Sequence, residues 1–303
     1  MNQDVYHIPA LLPESLEALA VKPDGVYVDA TLGGGGHSRA IVDQLGANGH
    51  LYSFDQDEDA IARAFSDPRF TAVYGNFRYL RNFLRYYGVD SVDGILADLG
   101  VSFHHFDDQE RGFSFRTDSP LDMRMNRHGN LTATTVLNEY SEQRLVEIFR
   151  LYGEVNNAPR VARAIVAARH TSPIETTGRL ADIVAPFIDR RRQKKDLACI
   201  FQAIRIEVNG ELDALRAFLD QAVKVLKPGA RLAIITYHSL EDRLVKNFIK
   251  AGNFEGKIDT DIYGHTTAPL KQLNGKPITA SETEVAINPR SRSAKLRVAI
   301  KLD

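Results

Sequence analysis

A strand, a run of four glycines and a helix follow one another near the start of this chain. The apolar segment GVYVDA, residues 25–30, is typical of a buried strand, and the glycines are residues 33–36. Ile41, Val42 and Leu45 then share one face of a predicted helix. Such a turn leaves backbone N–H groups open at a helix N-terminus, where a nucleotide-like ligand can bind. A tight turn that only needs positive φ angles is the structural alternative.

Further apolar segments extend this unit into an α/β domain. Strands are predicted over LYSFD (51–55), FTAVYG (70–75), DGILADLG (93–100) and RLAIIT (231–236), and they alternate with helical patterns. This alternation is typical of a parallel sheet. The late segments TEVAIN and KLRVAIKL are expected to form a closing pair of strands, and the segment from Ser239 to Asp242 fits a capping box that opens a helix.

The middle of the chain has a different pattern. From about residue 107 to 197 we find only loops and helical patterns such as SEQRLVEIFRLYG. The sequence therefore predicts a discontinuous α/β domain, residues 1–108 and 198–303, and an inserted all-helical domain at residues 109–197.

Composition excludes several classes of protein. The formal net charge is -1 and the pI is about 6.8, so a basic surface for nucleic acid has to be local. The single cysteine, Cys199, excludes a disulfide framework and a cysteine zinc cluster, and no metal is expected. No membrane span and no secretion signal are predicted, so we expect a soluble protein of the cytoplasm with no membrane partner.

Two aspartates indicate which nucleotide the glycine loop binds. Asp55 lies 22 residues after Gly33 at the end of the second predicted strand, where a carboxylate can accept hydrogen bonds from ribose hydroxyls. Asp29, at the end of the first strand, would repel a pyrophosphate but can pair with the ammonium group of S-adenosylmethionine. A methyl donor is therefore favoured over NAD, and an NAD-dependent oxidoreductase is the alternative. For Asp29 itself, the alternative is a carboxylate that only complements the helix dipole.

Eight ordered motifs carry a resemblance to a known family. They are HIPALLPESLEAL, DATLGGGGHS, DGILADLGVS, RGFSF, PLDMRM, FQAIRIEVNGEL, HSLEDRLVK and NPRSRSAKLR. In this order they resemble the bacterial small-subunit (16S) ribosomal RNA cytosine-N4 methyltransferases, the RsmH or MraW family. The resemblance implies an α/β fold: a class I S-adenosylmethionine-dependent methyltransferase sheet, Rossmann-like, with an inserted all-helical domain. The implied substrate is a cytidine of the decoding region, within an assembled particle.

The resemblance also implies the residues that bind the cofactor, S-adenosylmethionine. They are Gly35, Gly36, His37, Asp55, Phe77, Asp98 and His105. His105 stands where the family usually has glutamine, and KKDLACI replaces the family's HPATR segment.

Asp98 is also the candidate catalytic residue. The lone pair of the cytosine N4 amine is delocalised into the ring, and an acceptor on its N–H group assists attack on the methyl group. Asp98 ends the fourth predicted strand, and its alternatives are a cap or a carboxylate that faces only the cofactor. His238 and Ser239 follow the fifth strand as candidate substrate-binding residues, with helix capping as the alternative for Ser239. Phe103, Phe113 and Phe115 are candidates for base stacking, although core packing is favoured for them.

Two basic segments are candidates for phosphate contacts with the ribosomal RNA. Residues 160–195 hold nine Lys or Arg and three Asp or Glu, with DRRRQKKD (189–196) the densest run. NPRSRSAKLR adds Arg290 and Arg292, the two candidate substrate-binding arginines, together with Lys295 and Arg297. A solvated face is the alternative for such runs. An RNA-binding ribosome assembly factor without catalysis is the second alternative function.

Overall fold

The computed structural model describes residues 9–101, 108–189, 191–260 and 267–303. The chain divides into two compact units. The sheet unit comprises Met1–Gly100 and Leu212–Asp303, and the helical unit comprises Val101–Glu211.

The sheet unit is built on eight strands. They are β1 (Val26–Asp29), β2 (His50–Asp55), β3 (Phe70–Tyr74), β4 (Val92–Asp98), β5 (Leu226–Thr236), β6 (Leu270–Gln272), β7 (Ile278–Thr279) and β8 (Lys295–Lys301). The first helices are α1 (Leu12–Leu19), α2 (Gly36–Val42), α3 (Glu58–Ala62) and α4 (Leu80–Tyr86). The later helices of this part of the chain are α10 (Glu211–Val225), α11 (Ser239–Ala251) and α12 (Glu282–Ile287).

The strand order places the ligand site. Neighbouring strands run β3-β2-β1-β4-β5-β8-β6, with β7 also paired to β8. The first five are parallel, and β8 is antiparallel to β5. The chain therefore leaves β1 in one direction along the sheet and returns at β4 on its other side. In such Rossmann-like sheets a ligand binds beyond the carboxyl ends of the strands at this switch point, which here lies between β1 and β4.

Apolar side chains cover both faces of the sheet because successive strand residues point in opposite directions. Val28 and Ile95 face a core that includes Leu84 and Phe218 from helices α4 and α10. The adjacent strand residues Tyr27 and Leu96 point to the other face of the sheet. There they belong to a second core, which also contains Leu19 and Ile41. Helices on both sides of the parallel strands give the doubly wound arrangement that the alternating sequence pattern predicted.

The helical unit has its own apolar core. Its helices are α5 (Ala133–Glu139), α6 (Glu142–Leu151), α7 (Ala158–Arg169), α8 (Thr177–Val184) and α9 (Gln193–Asn209). Residues such as Ile148, Ile165 and Ile200 are fully buried in this core. Among the described residues of this unit, β-pairing is limited to an isolated bridge between Pro120 and Thr176.

The helical unit is longer than the inserted domain expected from sequence. It begins at Val101 and ends at Glu211, rather than at 109 and 197. The later end follows from helix α9, which runs without interruption from Gln193 to Asn209 and buries Ile200 and Ile204 in the core of this unit. Because this continuous helix packs into a single core, the boundary between the two units cannot lie at residue 197.

Two local predictions near the C-terminal part of the chain were wrong. The segment TEVAIN belongs to helix α12, because the Ser281 hydroxyl accepts a hydrogen bond of 3.1 Å from the backbone N–H of Glu284 and starts a helix. KLRVAIKL does form a strand, and its partners are β5, β6 and β7. The capping residue of α11 is His238 rather than Ser239, with Glu241 completing the capping box.

None of the helices in the described ranges combines the length and the apolar character that crossing a membrane requires.

Candidate active site at the carboxyl ends of β1 and β4

The glycine loop forms a tight turn before helix α2. The backbone N–H of Gly35 donates to the carbonyl of Leu32 at 2.7 Å, and Gly33 and Gly35 have φ angles of +49° and +77°. These left-handed conformations favour glycine. A Cβ at Gly36 would overlap with the ring of Pro9, whereas a Cβ at Gly34 would meet no atom within 4 Å. The loop therefore packs against the chain at Gly36 and is open at Gly34.

Asp55 ties the glycine loop to the end of β2. Its Oδ2 accepts a hydrogen bond of 2.9 Å from the backbone N–H of Gly33, and its Oδ1 accepts one of 2.9 Å from the N–H of Asp57. The carboxylate is thus oriented by the loop and by the start of α3. An ionised carboxylate has capacity for further donors beyond these two. The sequence placed Asp55 at this strand end, and its contact with the ribose stays a prediction.

Asp29 is fully buried at the end of β1. Its Oδ2 accepts from the Ser38 hydroxyl at 2.6 Å, and its Oδ1 accepts from the backbone N–H of Thr31 at 3.0 Å. Burial raises the pKa of this carboxyl to about 7, and the nearby charge of Asp55 adds to the rise. Within the described residues no lysine or arginine pairs with Asp29.

Asp98 ends β4 beside Asp29. Its backbone N–H donates to the Thr31 hydroxyl at 2.7 Å, so Thr31 bonds to both aspartates. The Asp98 side chain is 23% exposed. Desolvation is the main reason that its pKa rises to about 7, and Asp29 and Glu241 raise it further. The Asp98 carboxyl is therefore poised to exchange a proton near neutral pH.

His37 lies next to Asp98 without forming an ion pair. Its Nε2 is 3.1 Å from the carbonyl of Ala10, which can only accept, so Nε2 carries the ring proton. Burial lowers the pKa of His37 to about 4, which makes the ring neutral at pH 7. Its Nδ1, 3.7 Å from Oδ2 of Asp98, then presents a lone pair to that carboxyl.

Tyr237 is a site residue that sequence reasoning missed. It follows β5, and its hydroxyl donates a hydrogen bond of 2.8 Å to Oδ1 of Asp98. Burial and the Asp98 charge raise the pKa of Tyr237 well above its usual value, so the phenol keeps its proton. A signal was available in the sequence, because Tyr237 directly follows the predicted strand RLAIIT. At that position a side chain lies at the same sheet edge as Asp98.

Helix α11 begins beside Tyr237 and holds the two other residues predicted after β5. His238 caps the helix through Nδ1, which accepts from the N–H of Glu241 at 3.5 Å, and its Nε2 is 3.1 Å from Oε1 of Glu241. Oε2 of the buried Glu241 accepts from the N–H of Tyr237 at 3.0 Å. Ser239 is exposed in the first turn. Substrate contact at His238 and Ser239 stays a prediction, and the structure gives His238 a capping role.

The aromatic candidates lie in different environments. Phe77 is partly buried, and its ring contacts that of Phe218 edge-on at 5.2 Å. Phe113 and Phe115 belong to the core of the helical unit, where the Phe115 ring contacts Phe201. The packing interpretation of these two residues therefore holds in this structure. Phe103 and His105 lie outside the described residues.

The arginines of the last basic segment divide into two kinds. Arg290 and Arg292 are exposed on the short 3₁₀ helix Pro289–Ser293. Arg297 is buried on β8 and forms a bidentate pair with Asp242 of α11, at 2.7 and 3.1 Å. Arg297 therefore stabilises the sheet unit and does not contribute to a phosphate-binding cluster.

In the basic run of the helical unit, Arg191, Lys194 and Lys195 are exposed. Arg192 lies 3.6 Å from Asp196 at the start of α9, and Arg190 lies outside the described residues.

Comparison with known proteins decides the family. The model of the MraW methylase family matches residues 4–302, which is nearly the whole chain. The chain belongs to the MraW methylase family. The resemblance deduced from the eight motifs is thereby confirmed, and so is the Rossmann-like α/β fold class.

Individual relatives agree with this assignment. A protein of Phocaeicola vulgatus named "Ribosomal RNA small subunit methyltransferase H" is 57% identical over 99% of this chain and 98% of its own. A protein of the same name from Bacteroides thetaiotaomicron is 56% identical over 98% and 97% of the two chains. One from Flavobacterium johnsoniae is 54% identical over 98% of each. The relatives are methyltransferases, and none of these names supports the oxidoreductase alternative.

Proposed function

We propose that this protein transfers a methyl group from S-adenosylmethionine to the exocyclic N4 of a cytidine in small-subunit ribosomal RNA. The observation that carries the proposal is the pair of carboxyls with raised pKa values, Asp29 and Asp98, at the β1–β4 switch point of a chain in a methylase family. The names of the relatives supply the substrate. Cytoplasmic action on an assembled small subunit is part of the same proposal.

The residues present fit the methyl donor. S-adenosylmethionine carries a positive sulfonium and a positive ammonium group, and it supplies the methyl group when bound. Asp29 and Asp98 are carboxyls with raised pKa values and, within the described residues, no cationic partner. A bound cation lowers the pKa of such carboxyls and stabilises their charged forms. Asp55 and the backbone of Gly35, Gly36 and His37 would hold the nucleoside part of the donor.

A dinucleotide fits the same residues less well. The carboxyls of Asp29 and Asp98 would repel the two negative phosphates of NAD at the switch point. This argument favours methyl transfer over hydride transfer for the geometry observed here.

Asp98 is the residue to which we assign the acceptor role. Its Oδ1 is held by the Tyr237 hydroxyl, and its Oδ2 faces the neutral His37 ring at 3.7 Å. An ionised Asp98 would accept a hydrogen bond from the N4 amine and take up its proton as the new C–N bond forms. The positive charge of the donor would keep Asp98 ionised before transfer, and a pKa that returns toward 7 once the sulfonium has become a neutral sulfide lets Asp98 hold the proton.

Base access imposes a second requirement. The target cytidine has to be single-stranded or flipped out of its stack before N4 can reach a methyl group beside Asp98. The exposed Arg290 and Arg292 of the sheet unit are proposed to contact phosphates around it, and the exposed Arg191 of the helical unit is a further candidate for contact with the RNA.

The deciding experiment is transfer of labelled methyl groups to small ribosomal subunits that lack the modification. Mass spectrometry of the nucleosides should find N4-methylated cytidine only when the protein and S-adenosylmethionine are both present. Subunits that bind the protein but acquire no label would instead support the assembly-factor alternative.

A further inference from the structure

The segment that links β3 to β4 combines basic and aromatic residues. From residue 68 to residue 89 the chain has no acidic residue, although a quarter of all its residues are charged. Helix α4 occupies the centre of this segment, after a 3₁₀ turn at Phe77–Tyr79. Leu80 and Leu84 of α4 are fully buried in the core of the sheet unit. The opposite face of the helix is therefore turned to solvent.

Residues of α4 and of the two turns that flank it make up what we call the α4 patch. Its members are Arg78, Tyr79, Arg81, Arg85, Tyr86 and Tyr87. Arg81 and Arg85 are exposed, and Tyr86 and Tyr79 are 82% and 53% exposed. The two exposed rings therefore leave apolar surface in contact with water, and a stacking partner can bury this surface.

The aromatic rings of the patch are held in place from one side. The ring of Tyr87 contacts Tyr52 of β2 at 5.3 Å, and Tyr86 meets Tyr87 edge-on at 5.2 Å. The guanidinium of Arg78 lies 5.8 Å from the centre of the Tyr79 ring. Tyr86 is thus supported at its edge by Tyr87 while most of its surface remains accessible.

The arginines of the patch differ from three others in the sheet unit, each of which pairs with an aspartate. Arg69 pairs with Asp67, Arg216 with Asp213 and Arg297 with Asp242. Among the residues that the structure describes, no carboxylate pairs with Arg78, Arg81 or Arg85. Arg81 and Arg85 are also four residues apart on one helix, where like charges repel each other. A polyanion would relieve this repulsion.

We propose that the α4 patch binds single-stranded RNA that flanks the target nucleotide. The arginines would contact phosphates, and Tyr86 would stack on an unpaired base, which is the usual combination in proteins that bind single strands. This inference rests on the proposed function for its RNA substrate. The patch starts one residue after Phe77, the predicted donor residue, near the carboxyl end of β3, and α4 then leads away from that end toward the start of β4.

The positive charge and the exposed rings of the patch favour RNA over a second copy of this chain or an acidic protein as the partner. In a contact between two copies of this chain through the same patch, the three arginines of each copy would face those of the other. An acidic protein surface would satisfy the arginines but offers no unstacked bases to Tyr79 and Tyr86.

The test compares two matched double variants of the full-length protein. Arg81→Gln with Arg85→Gln removes two charges from the patch. Lys246→Gln with Lys250→Gln removes two exposed charges at the same spacing from α11.

Binding of a fluorescein-labelled single-stranded RNA of about 12 nucleotides is followed by anisotropy between about 50 and 200 mM salt. The patch variant should lower the log-log salt slope by about 1.4, because each lost phosphate contact on a single strand contributes about 0.7. The control should leave the slope unchanged.

Tyr86 is tested separately. Tyr86→Ala should weaken RNA binding about tenfold, and Tyr86→Phe should restore it, because stacking on a base requires only the ring. Equal binding by the patch variant and the control overturns the inference, and so does undetectable binding of this RNA by the unaltered protein. Loss of methyl transfer to subunits with unchanged RNA binding would also overturn it, in favour of an acidic protein partner.

The proposed function is measured independently in the same series. If the unaltered protein methylates subunits while the patch variant binds RNA like the control, the inference fails and the proposed function stands. If neither the unaltered protein nor the variants methylate subunits, but only the patch variant has a lower salt slope of RNA binding, the proposed function fails and the RNA-binding surface stands.

Discussion

The hydroxyl of Tyr237 donates a hydrogen bond of 2.8 Å to Oδ1 of Asp98. This bond opposes the other influences on Asp98, because it favours the ionised carboxyl while desolvation, Asp29 and Glu241 favour the protonated one. Tyr237 therefore adjusts the pH at which Asp98 can accept a proton.

Removing this hydroxyl should shift the pH dependence of methyl transfer. In Tyr237→Phe the pKa of Asp98 should rise, so the single-turnover rate should fall at neutral pH and recover in more alkaline buffer. A hydrogen bond to a charged group contributes about 1.5 to 3 kcal/mol, which corresponds to a shift of about one to two pH units. The measurement is the rate against pH for both proteins. An unchanged profile would show that the phenol only packs beside Gly100.

Substitution of Asp98 separates chemistry from binding. Asp98→Asn cannot take up a proton, and an acceptor for the developing charge matters more in the transition state than in the ground state. The single-turnover rate should therefore fall more than the affinity for S-adenosylmethionine, measured by calorimetry. Equal losses in both quantities would make Asp98 a donor ligand alone.

Asp55 should contribute mainly to donor affinity. Its carboxylate is oriented by the N–H groups of Gly33 and Asp57, and it is predicted to accept from the ribose. Asp55→Ala should weaken binding of S-adenosylmethionine by about 1.5 to 3 kcal/mol. Asp90→Ala, at an exposed position, is the control. Unchanged affinity in calorimetry would remove Asp55 from the donor site.

Asp29 should make folding stability depend on pH. Because its pKa is raised to about 7 in the folded chain, the proton it holds stabilises the fold fully below about pH 4. That contribution is lost as the pH rises through 7, where the folded carboxyl ionises without a cationic partner. Asp29→Asn has no charge to bury, and its amide oxygen can still accept from Ser38.

The variant Asp29→Asn should therefore be more stable than the unaltered protein at pH 8, by on the order of 2 to 4 kcal/mol, and should lose this advantage near pH 4. Urea denaturation at several pH values measures the difference, with the exposed Asp90→Asn as the control. A difference that does not change with pH would contradict the raised pKa. The same substitution should weaken donor binding, because the ammonium loses its partner.

Charges of the helical unit should contribute to RNA affinity. Arg191, Lys194 and Lys195 are exposed, and replacing all three by Gln should flatten the salt dependence of binding to the small subunit by about one log-log unit per lost phosphate contact. Donor affinity should stay the same, since the glycine loop belongs to the sheet unit. If the salt series does not change, the run DRRRQKKD is a solvated helix end, and Arg290 and Arg292 become the main candidates.

Most of the sheet could be predicted from the sequence. The segments that predict β1 to β4 and the second half of β5 are short and strongly apolar, and glycine or proline marks the turns between them. The carboxyl ends of parallel strands meet at one edge, so Asp29, Asp55 and Asp98 could be placed near one another from their positions alone. The end of the inserted helical unit was less predictable, because the apolar pattern of α9 does not show which core it enters.

The chain's own amino-acid order determined the glycine loop, the strand ends and the aspartates that lie there, because each depends on residues close together in the sequence. Tertiary structure alone decided the partners of those residues. Tyr237 reaches Asp98 across 139 positions, and Arg297 binds Asp242 instead of a phosphate. It also decided the charges, since burial keeps His37 neutral and makes the proton on Asp98 exchangeable near pH 7. Desolvation and long-range hydrogen bonds exist only after the chain has folded, and for that reason no local pattern reveals them.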